Sequence, residues 1–328
     1  MEVGDDTPSR GSDKVALVIV NYYSAEFLRR CLECVSRQSV APHRVVIVNN
    51  GDHDEALDFV SSDYPTYDLL SPGNVGFAAA NNLATRGLVD SNWIVLLNPD
   101  AFPAVDWLAT LIASANNSPD VYVLSSQLFS ADAAEIIDGE GDCYHMSGVA
   151  WRINHGRTAK DALQGIAMFS PCAAAAMYRR SALLDVGGFD ENYFCYFEDV
   201  DLGFRLRLAG YKVAHVPNAI AHHVGGGSSQ ALGLSDFAIY HGHRNLVWTF
   251  VKNMPGYLFW LFLPAHILMN IFSVLFFCFK GKGRIILRAK IDAICGLPRV
   301  WTQRKQIQKS RKVTPRAIVK HISFGFIR

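Results

Sequence analysis

Residues 15–21 read VALVIVN, a continuous apolar and mostly β-branched run that ends in asparagine. Such a run is typical of a strand buried on both faces of a parallel sheet. Similar runs occur at 44–48 and at Trp93–Leu97, with amphipathic stretches between them. Strands and helices that alternate at this spacing predict an α/β fold with a doubly wound, mostly parallel sheet.

The same patterns predict further elements along the chain. Helices are predicted over 25–38, 54–62, 78–88, 180–186 and 199–209, and strands over 67–70, 173–178 and 213–216. Residues 130–165 are polar without a clean period, which predicts loops and an edge hairpin. Residues 1–13 lack an apolar core and are interpreted as a disordered leader.

Polar side chains follow the buried strands where the strands end. They are Asn21, Asn49, Asn50, Asn98 and Asp100. In doubly wound sheets, ligands bind in the crevice beyond the carboxyl ends of the strands. A carboxylate such as Asp100 can hold Mg²⁺ or Mn²⁺ there, together with phosphate oxygens. By itself, the NPD run at 98–100 is equally typical of a turn that ends a strand.

Three acids begin one of the predicted helices: Glu198, Asp199 and Asp201. Acids near a helix N-terminus complement the helix dipole, and Asp201 fits a capping role. The aromatic residues within 193–197 predict an apolar wall beside these acids. Burial against such a wall raises the pKa of a carboxyl, which suits a general base.

Two further clusters combine polar side chains with glycine. His222 and His223 run into a glycine triplet, where close approach to phosphate is possible and imidazole suits Mn²⁺. The asparagines within 74–82 lie at a loop–helix junction, which is also typical of a turn with an N-cap. Arg244 and Asn245 are interpreted as the start of a last helix.

In this order, the motifs resemble inverting glycosyltransferases of family 2, which have the GT-A fold. In particular, they resemble the rhamnosyltransferase-like branch of bacterial surface polysaccharide synthesis. The matching runs are VIVNYYS, VIVNNGD, NVGFAAANN, LLNPDA, AAAAMYRR, VGGFDENYFCYFEDVDLGFRLRLAGY and HHVGGGSS, followed by RN at 244–245. Together they extend over residues 15–250.

The resemblance implies a role for each matching position. Asp199 corresponds to the catalytic base, with Phe197 and Glu198 on the acceptor side. Asp100 and His223 correspond to ligands of Mg²⁺ or Mn²⁺ and of the donor diphosphate. The implied donor-binding residues are Asn21, Tyr22, Asn49, Asn74, Gly76, Asn81 and Asn98. Of these, Tyr22 corresponds to the position that stacks against the nucleotide base.

Four positions depart from the family's pattern. Asn98 stands where the metal-binding DxD element begins with an acid, and Asn49 stands where an aspartate usually accepts from a pyrimidine. The amide oxygen of Asn49 can still accept that hydrogen bond, without charge. Tyr23 and Ala173 replace a common asparagine and glycine. These departures bear on base preference and acceptor fit rather than on the reaction class.

The reaction implied by the resemblance is a direct displacement with inversion at the anomeric carbon. A sugar, with rhamnose favoured, passes from a dTDP- or UDP-linked donor to a hydroxyl of a lipid-linked glycan. Two alternatives stay open: transfer from a polyprenyl-phosphate sugar, and a catalytically inactive membrane scaffold. Nucleic acid is not an expected partner, because few aromatic residues interleave the basic tail. A homo-oligomer is possible.

The segment Gly256–Phe279 is uncharged over 24 residues, long enough to cross a bilayer. The tail after it carries 14 lysines and arginines against one acid. Since basic segments stay in the cytoplasm, a single crossing would separate the tail from cytosolic nucleotide sugars. Pro264 predicts a helix that breaks and returns, or one that lies in the interface. The expected location is therefore the cytoplasmic face of the membrane.

The sequence thus predicts four regions. They are a leader at 1–13, a GT-A domain at 14–250, a membrane-associated segment at 256–279 and a basic amphipathic tail at 280–328. The seven cysteines are odd in number and irregular in spacing, which predicts reduced thiols and fits a cytosolic enzyme.

Overall fold

The structure is a computed structural model that describes residues 14–51, 57–225 and 235–325. The predicted leader at 1–13 and the glycine run after Gly225 lie outside the described residues.

Two sheets organise the fold. The strands are β1 (Val15–Asn21), β2 (Arg44–Asn49), β3 (Asp68–Leu70), β4 (Trp93–Leu97), β5 (Ala101–Pro103), β6 (Val121–Ser130), β7 (Ile137–Gly139), β8 (Asp142–His145), β9 (Ala150–Arg152), β10 (Ala175–Arg179), β11 (Lys212–His223) and β12 (Ile322–Ser323). The main sheet has the order β3-β2-β1-β4-β10-β6-β11-β5, with β7 paired to β6. It is parallel from β3 to β4, and β10 joins it antiparallel. The strands β12, β8 and β9 form the smaller sheet.

Helices cover both faces of the main sheet and form the C-terminal part of the chain. They are α1 (Ala25–Ser36), α2 (Asp58–Asp63), α3 (Phe77–Gly87), α4 (Trp107–Asn117), α5 (Arg180–Asp185), α6 (Glu198–Leu208), α7 (Asp236–Asn253), α8 (Gly256–Phe279), α9 (Gly283–Cys295), α10 (Leu297–Ser310) and α11 (Pro315–Val319). A short 3₁₀ helix occupies Glu191–Tyr193.

Alternate residues of the first strand explain the layering. Leu17 and Ile19 belong to the core that includes α1 and α4. Val18 and Val20 belong to the core on the other face, which includes α3, α5 and α6. Both faces of β1 are therefore apolar, as the VALVIVN run predicts, and the predicted doubly wound α/β fold is confirmed.

Two local predictions differ from the structure. The strand predicted over 213–216 is β11, which has 12 residues and ends at the histidine pair. A bulge between Val216 and Ile220 interrupts the alternation of this strand, which hides its second half in the sequence. Arg244 and Asn245 lie inside α7 rather than at its start. The polar region at 130–165 contains a hairpin, formed by β8 and β9.

The basic tail packs against the body formed by the two sheets and their helices. Its strand β12 pairs in parallel with β8, and Lys312 forms an exposed ion pair with Asp185 at 3.1 Å. Within the C-terminal part, α7 packs against α9 and α10.

The helix α8 is continuous, and by length and composition it can cross a membrane. The prediction of a break at Pro264 is therefore wrong. Just beyond the proline, His266 stacks on Phe250 at 4.0 Å between ring centroids and hydrogen-bonds the Ser147 carbonyl through Nδ1 at 2.7 Å. These contacts hold the helix where proline removes one backbone hydrogen bond.

One side of α8 is buried against the body, and the other is exposed and apolar. This apolar face of α8 consists of Tyr257, Trp260, Leu261, Ile267, Leu268, Ile271, Phe272, Leu275, Phe276 and Phe279. The neighbouring α9 exposes Leu287, Ile291 and Ile294 at helical spacing. An exposed apolar surface of this extent is typical of an interaction with a membrane or a protein partner.

Candidate active site

The asparagines that end the first two strands lie side by side. Asn21 and Asn49 are paired in register between β1 and β2, and both are buried. Within the described residues, neither the nitrogen nor the oxygen of the Asn21 amide has a hydrogen-bond partner. A buried polar group left without a partner costs about 1–3 kcal/mol. A ligand that pairs with Asn21 would compensate this cost.

The loop before α3 is attached to the end of β2. The Val75 N–H donates to Oδ1 of Asn50 at 2.9 Å, and the Gly76 N–H donates to Oδ1 of Asn74 at 3.3 Å. Gly76 has a φ of 85°, and a Cβ there would lie 2.5 Å from the Phe194 ring. Both the backbone angle and this ring therefore require glycine.

The other predicted donor residues lie in two places: Tyr22 and Asn98 follow strands, and Asn81 lies inside α3. Tyr22 follows β1 and is 45% exposed, and its ring packs edge to face with the Tyr23 ring at 4.8 Å between centroids. Asn98 follows β4, the neighbour of β1 in the sheet, and so lies at the same edge. Asn81 lies inside α3, where its side chain donates to the Phe77 carbonyl at 2.9 Å. Its amide nitrogen is therefore engaged within the helix.

Sheet topology brings the predicted metal ligands together. Asp100 directly precedes β5, and its neighbour Ala101 pairs with His223 in β11. Because successive side chains of a strand face opposite sides, His222 points away from this site. Its ring lies 6.2 Å from the Phe129 ring. Of the two histidines, His223 is thus the one beside Asp100.

His223 lies between two carboxylates and is 3% exposed. Its Nδ1 lies 2.8 Å from Oδ2 of Asp138. Its Nε2 lies 3.2 Å from Oδ1 of Asp100 but has no aligned hydrogen bond within the described residues. Burial lowers the pKa of His223, but Asp100 and Asp138 outweigh it and raise the pKa above its ordinary value.

The arrangement fits a divalent cation held by two protein ligands. Because Asp138 binds Nδ1 of His223, the buried Nε2 faces Asp100 and can bind a metal. A histidine that binds metal usually donates its other N–H to such a carboxylate. In the described part of the chain, no group of three or more His, Cys, Asp or Glu is placed to hold a metal. Diphosphate oxygens would complete the coordination, as is usual for Mg²⁺.

A second group of carboxyls lies at the start of α6. Asp199 accepts from the backbone N–H of Val200 at 2.8 Å and of Ala173 at 3.4 Å. Burial raises the pKa of Asp199, although these N–H groups partly offset the rise. Burial, and then the charge of Asp199, also raise the pKa of Glu198 and Asp142.

Arg152 connects the two groups. Its Nη1 donates to Oδ2 of Asp138 at 2.5 Å, beside His223. Burial raises the pKa of Asp199 and Asp142, and the positive charge of Arg152 partly offsets that rise in both. One guanidinium therefore acts on the histidine group and on the carboxyl group.

Sequence reasoning missed Asp138, Asp142 and Arg152. A signal is present in the run DGEGD at 138–142, where acids alternate with glycines. The run is not one strand: β7 ends at Gly139 and β8 begins at Asp142, with Gly141 at a φ of 88° between them. A Cβ at Gly139 would approach the side chain of Arg152 to 3.2 Å, so the glycine leaves room for the arginine.

The loop that precedes α6 has a strained backbone. Phe194, Tyr196 and Phe197 have φ values of 67°, 64° and 66°. Each such residue costs about 1–3 kcal/mol and requires support from its surroundings. Asn245 supplies that support from α7, since its fully buried amide donates to the carbonyls of Tyr193, Cys195 and Tyr196 at 3.1, 2.9 and 2.7 Å. Asn245 thus positions the loop that leads into Glu198 and Asp199 at the start of α6.

The chain matches a family model described as "Glycosyltransferase like family 2" over residues 12–241. It belongs to this glycosyltransferase family. The family 2 enzyme is 28% identical over 237 residues to the N-acetylglucosaminyl-diphospho-decaprenol L-rhamnosyltransferase of Mycobacterium tuberculosis, covering 65% of this chain and 76% of that protein. It is 29% identical over 226 residues to rhamnosyltransferase WbbL of Escherichia coli, covering 64% and 84%.

Solved glycosyltransferases share the fold of this family 2 enzyme. A mannosyltransferase from Pyrobaculum calidifontis, solved with GDP-Man and Mn²⁺, matches with a TM-score of 0.52 and 18% identity. The match covers 95% of this chain and 87% of that one. The predicted GT-A fold and the predicted similarity to rhamnosyltransferases are both confirmed.

Proposed function

We propose that this glycosyltransferase moves a sugar, with rhamnose favoured, from a nucleotide diphosphate to a hydroxyl of a lipid-linked glycan in surface polysaccharide synthesis. The observations that carry the proposal are the pairing of Asp100 with His223, whose other neighbour Asp138 is bound by Arg152, and the buried carboxyl of Asp199, on which the charge of Arg152 also acts. The names of two relatives, both rhamnosyltransferases and one acting on a decaprenol-diphosphate sugar, support the sugar and the acceptor class.

In the proposed reaction, Asp199 removes the proton from the acceptor hydroxyl as its oxygen attacks the anomeric carbon. The bond between that carbon and the diphosphate breaks on the opposite side, so the configuration inverts. Burial and the strained loop before α6 keep the carboxyl in a position and an environment that favour proton uptake.

The residues around His223 serve the leaving group. Bound Mg²⁺ or Mn²⁺ neutralises the charge that develops on the departing diphosphate. Asp100 and Nε2 of His223 would hold the cation, while Asp138 orients the imidazole through Nδ1. Asn21 and Asn49 would bind the nucleoside at the strand ends, with Tyr22 against the base.

Calorimetric titration with dTDP and UDP, followed by transfer assays with a panel of nucleotide sugars, tests the proposed donor. We expect at least one nucleotide to bind and dTDP-rhamnose to be the best donor. Activity with a polyprenyl-phosphate sugar, without binding of either nucleotide, would instead support the alternative donor class.

The pH profile of transfer should show the raised pKa of Asp199. A general base must be deprotonated, so kcat/KM should fall as the pH falls through a pKa higher than the 3.9 typical of aspartate. Arg152→Gln removes a charge that lowers this pKa, and the acidic limb should move to higher pH. Lys160→Gln, a change of the same charge at an exposed position, is the control. An acidic limb that stays in place in Arg152→Gln contradicts the assignment.

Removal of the carboxylate behind His223 should weaken metal binding. Asp138→Asn is expected to lower the affinity for Mn²⁺ by about 10- to 100-fold, because the imidazole loses the acceptor that orients it. Calorimetric titration of Mn²⁺ in the presence of the nucleotide measures this effect without turnover. The exposed Asp132→Asn is the matched control. Equal Mn²⁺ affinities in the two variants, or full activity in EDTA, would rule out the proposed site.

The packing of α8 supports a monotopic attachment to the cytoplasmic face of the membrane. The helix contacts the body at its middle, where His266 stacks on Phe250, and near its end, where Phe277 meets His243 at 4.9 Å between ring centroids. A helix buried along one side is not surrounded by lipid, whereas its exposed apolar face can enter the interface. A C-terminal tag should therefore be inaccessible from outside intact cells, and labelling of that tag would refute this topology.

A further inference from the structure

A groove of about 520 Å³ lies between the start of α8 and α10. Aromatic side chains from both helices form much of its wall: Tyr257, Phe259, Trp260 and Trp301. Trp260 is 67% exposed and Trp301 is 40% exposed. Tyrosine and tryptophan combine an apolar ring with a polar group, and they are enriched where a membrane meets water.

Three cations line the same groove: Arg304, Lys305 and Arg311. Among the described residues that line it, none is acidic. Arg304 is already engaged, since its Nη1 donates to the carbonyls of Val251 and Met254 at 2.8 and 2.6 Å. Nη1 of Arg311 is buried and has no hydrogen-bond partner within the described residues.

The positive charge of the groove is therefore not balanced by its own walls. Burial, and then the charge of Arg311, lower the pKa of Arg304 to about 10, as expected for two guanidinium groups close together. Lys305 is exposed at the rim. An anion in the groove would meet at least two cations that have no acidic partner there.

The groove is continuous with the apolar face of α8. Tyr257 and Trp260 belong to both surfaces, so the aromatic wall lies where the apolar face begins. If the apolar face enters the membrane interface, the groove lies at the level of the lipid head groups. Aromatic walls and basic side chains are the composition expected at that level.

The groove is separate from the candidate active site. His241, in the first half of α7, stacks on Phe194 of the loop that precedes Asp199. Arg304 contacts Val251, at the other end of the same helix. The ten residue steps from His241 to Val251 span roughly 15 Å of helix. A ligand in the groove is therefore distinct from the reacting sugar and its diphosphate.

We propose that this groove binds the phosphate of an anionic phospholipid of the bilayer. Lys305 and Arg311 pair with the phosphate, while Trp260 and Trp301 contact the glycerol and the first acyl carbons. The inference rests on the proposed membrane attachment and adds a defined lipid site to it. Such a site fixes the height and orientation of the catalytic body relative to the membrane surface.

Two double variants of the full chain test the site. Lys305→Gln with Arg311→Gln removes two cations of the groove. Lys309→Gln with Arg316→Gln removes the same residue types from exposed positions of the tail that do not line it. Flotation with phosphatidylcholine vesicles, with and without phosphatidylglycerol, measures membrane affinity. Native mass spectrometry in detergent counts the phosphatidylglycerol molecules retained by each chain.

We expect the groove variant to lose at least tenfold more affinity for phosphatidylglycerol vesicles than the control variant. We also expect one retained phosphatidylglycerol in the wild type and the control, and none in the groove variant. An equal loss of vesicle affinity in the two double variants, or equal retention of phosphatidylglycerol by them, would overturn the lipid site while leaving membrane attachment intact. Wild-type protein that floats with neither vesicle would overturn the attachment itself. If the double variant does not fold, Lys305→Gln alone, at an exposed position, replaces it in both measurements.

Discussion

Asp199→Asn is expected to lower kcat for sugar transfer by about 10²- to 10⁴-fold, the range for loss of a general base. Nucleotide affinity should not change, because the amide keeps the size of the side chain and can still accept from a backbone N–H. In the wild type these donors are Val200 at 2.8 Å and Ala173 at 3.4 Å. Transfer assays with the preferred donor, together with titration of its nucleotide, measure the two effects separately.

Asp142→Asn is the matched control for this substitution. Asp142 is also buried, and burial followed by the charge of Asp199 raises its pKa. It lies on β8 rather than at the start of α6, so its loss should reduce kcat far less. A larger loss in Asp142→Asn than in Asp199→Asn would reverse the assignment of the base. Near-normal turnover in both variants would show that neither carboxyl takes part in the proton transfer.

The strands at the centre of the fold could be predicted because burial on both faces leaves an unbroken apolar run. Val15–Asn21 and Trp93–Leu97 have the predicted bounds. The polar residues after them lie at one edge of the sheet for the same reason, since the carboxyl ends of parallel strands meet there. The positions of Asn21 and Asn49 in the fold therefore follow from local sequence alone.

The surroundings of His223 could not be predicted in this way. Asp100 reaches the histidine because β5 pairs with the end of β11, and Asp138 reaches it because β7 pairs with β6. The first pairing joins segments about 120 residues apart, the second joins two consecutive strands, and a bulge hides half of β11. Short polar strands have no periodic signal, so the acids of the DGEGD run at 138–142 could not be assigned to the site from the sequence.

The role of Asp201, at the start of α6, also depends on a contact that local sequence does not predict. The sequence favoured a capping role for Asp201, because acids are common near helix starts. In the structure Asp201 is fully buried and forms ion pairs with Arg205 and Lys252, both at 2.8 Å. Its partner Lys252 comes from α7, far along the chain, and the residues around Lys252 in the sequence do not predict that it is buried.

Lys252→Met is expected to lower the free energy of unfolding by about 3–5 kcal/mol, the usual cost of removing one partner of a buried ion pair. Lys252 is 1% exposed, and its Nζ lies 2.6 Å from Asp190 and 2.8 Å from Asp201. The substitution leaves both carboxylates in the interior with less compensation. Urea denaturation of the detergent-solubilised chain, followed by circular dichroism, measures the loss.

The pH dependence of this loss has a definite sign. Burial raises the pKa of Asp190, but Lys252 outweighs it and holds the pKa below the ordinary value. A depressed carboxyl pKa stabilises the fold above the unfolded value of about 3.9 and ceases to do so as the pH falls through the folded value. The difference between wild type and Lys252→Met should therefore be full at neutral pH and shrink below about pH 4.

Lys312→Met is the control, because its ion pair with Asp185 is exposed on both sides. Such pairs contribute about 0.2–1 kcal/mol, so this variant should remain near wild type. Adding Asp190→Asn to Lys252→Met should recover part of the loss, since one buried charge is then removed. An equal loss in the two lysine variants, or a loss that does not change with pH, would mean that packing rather than charge makes Lys252 important. In that case the ion pairs of Lys252 with Asp190 and Asp201 would no longer explain why α6, which carries Asp199, is held in place.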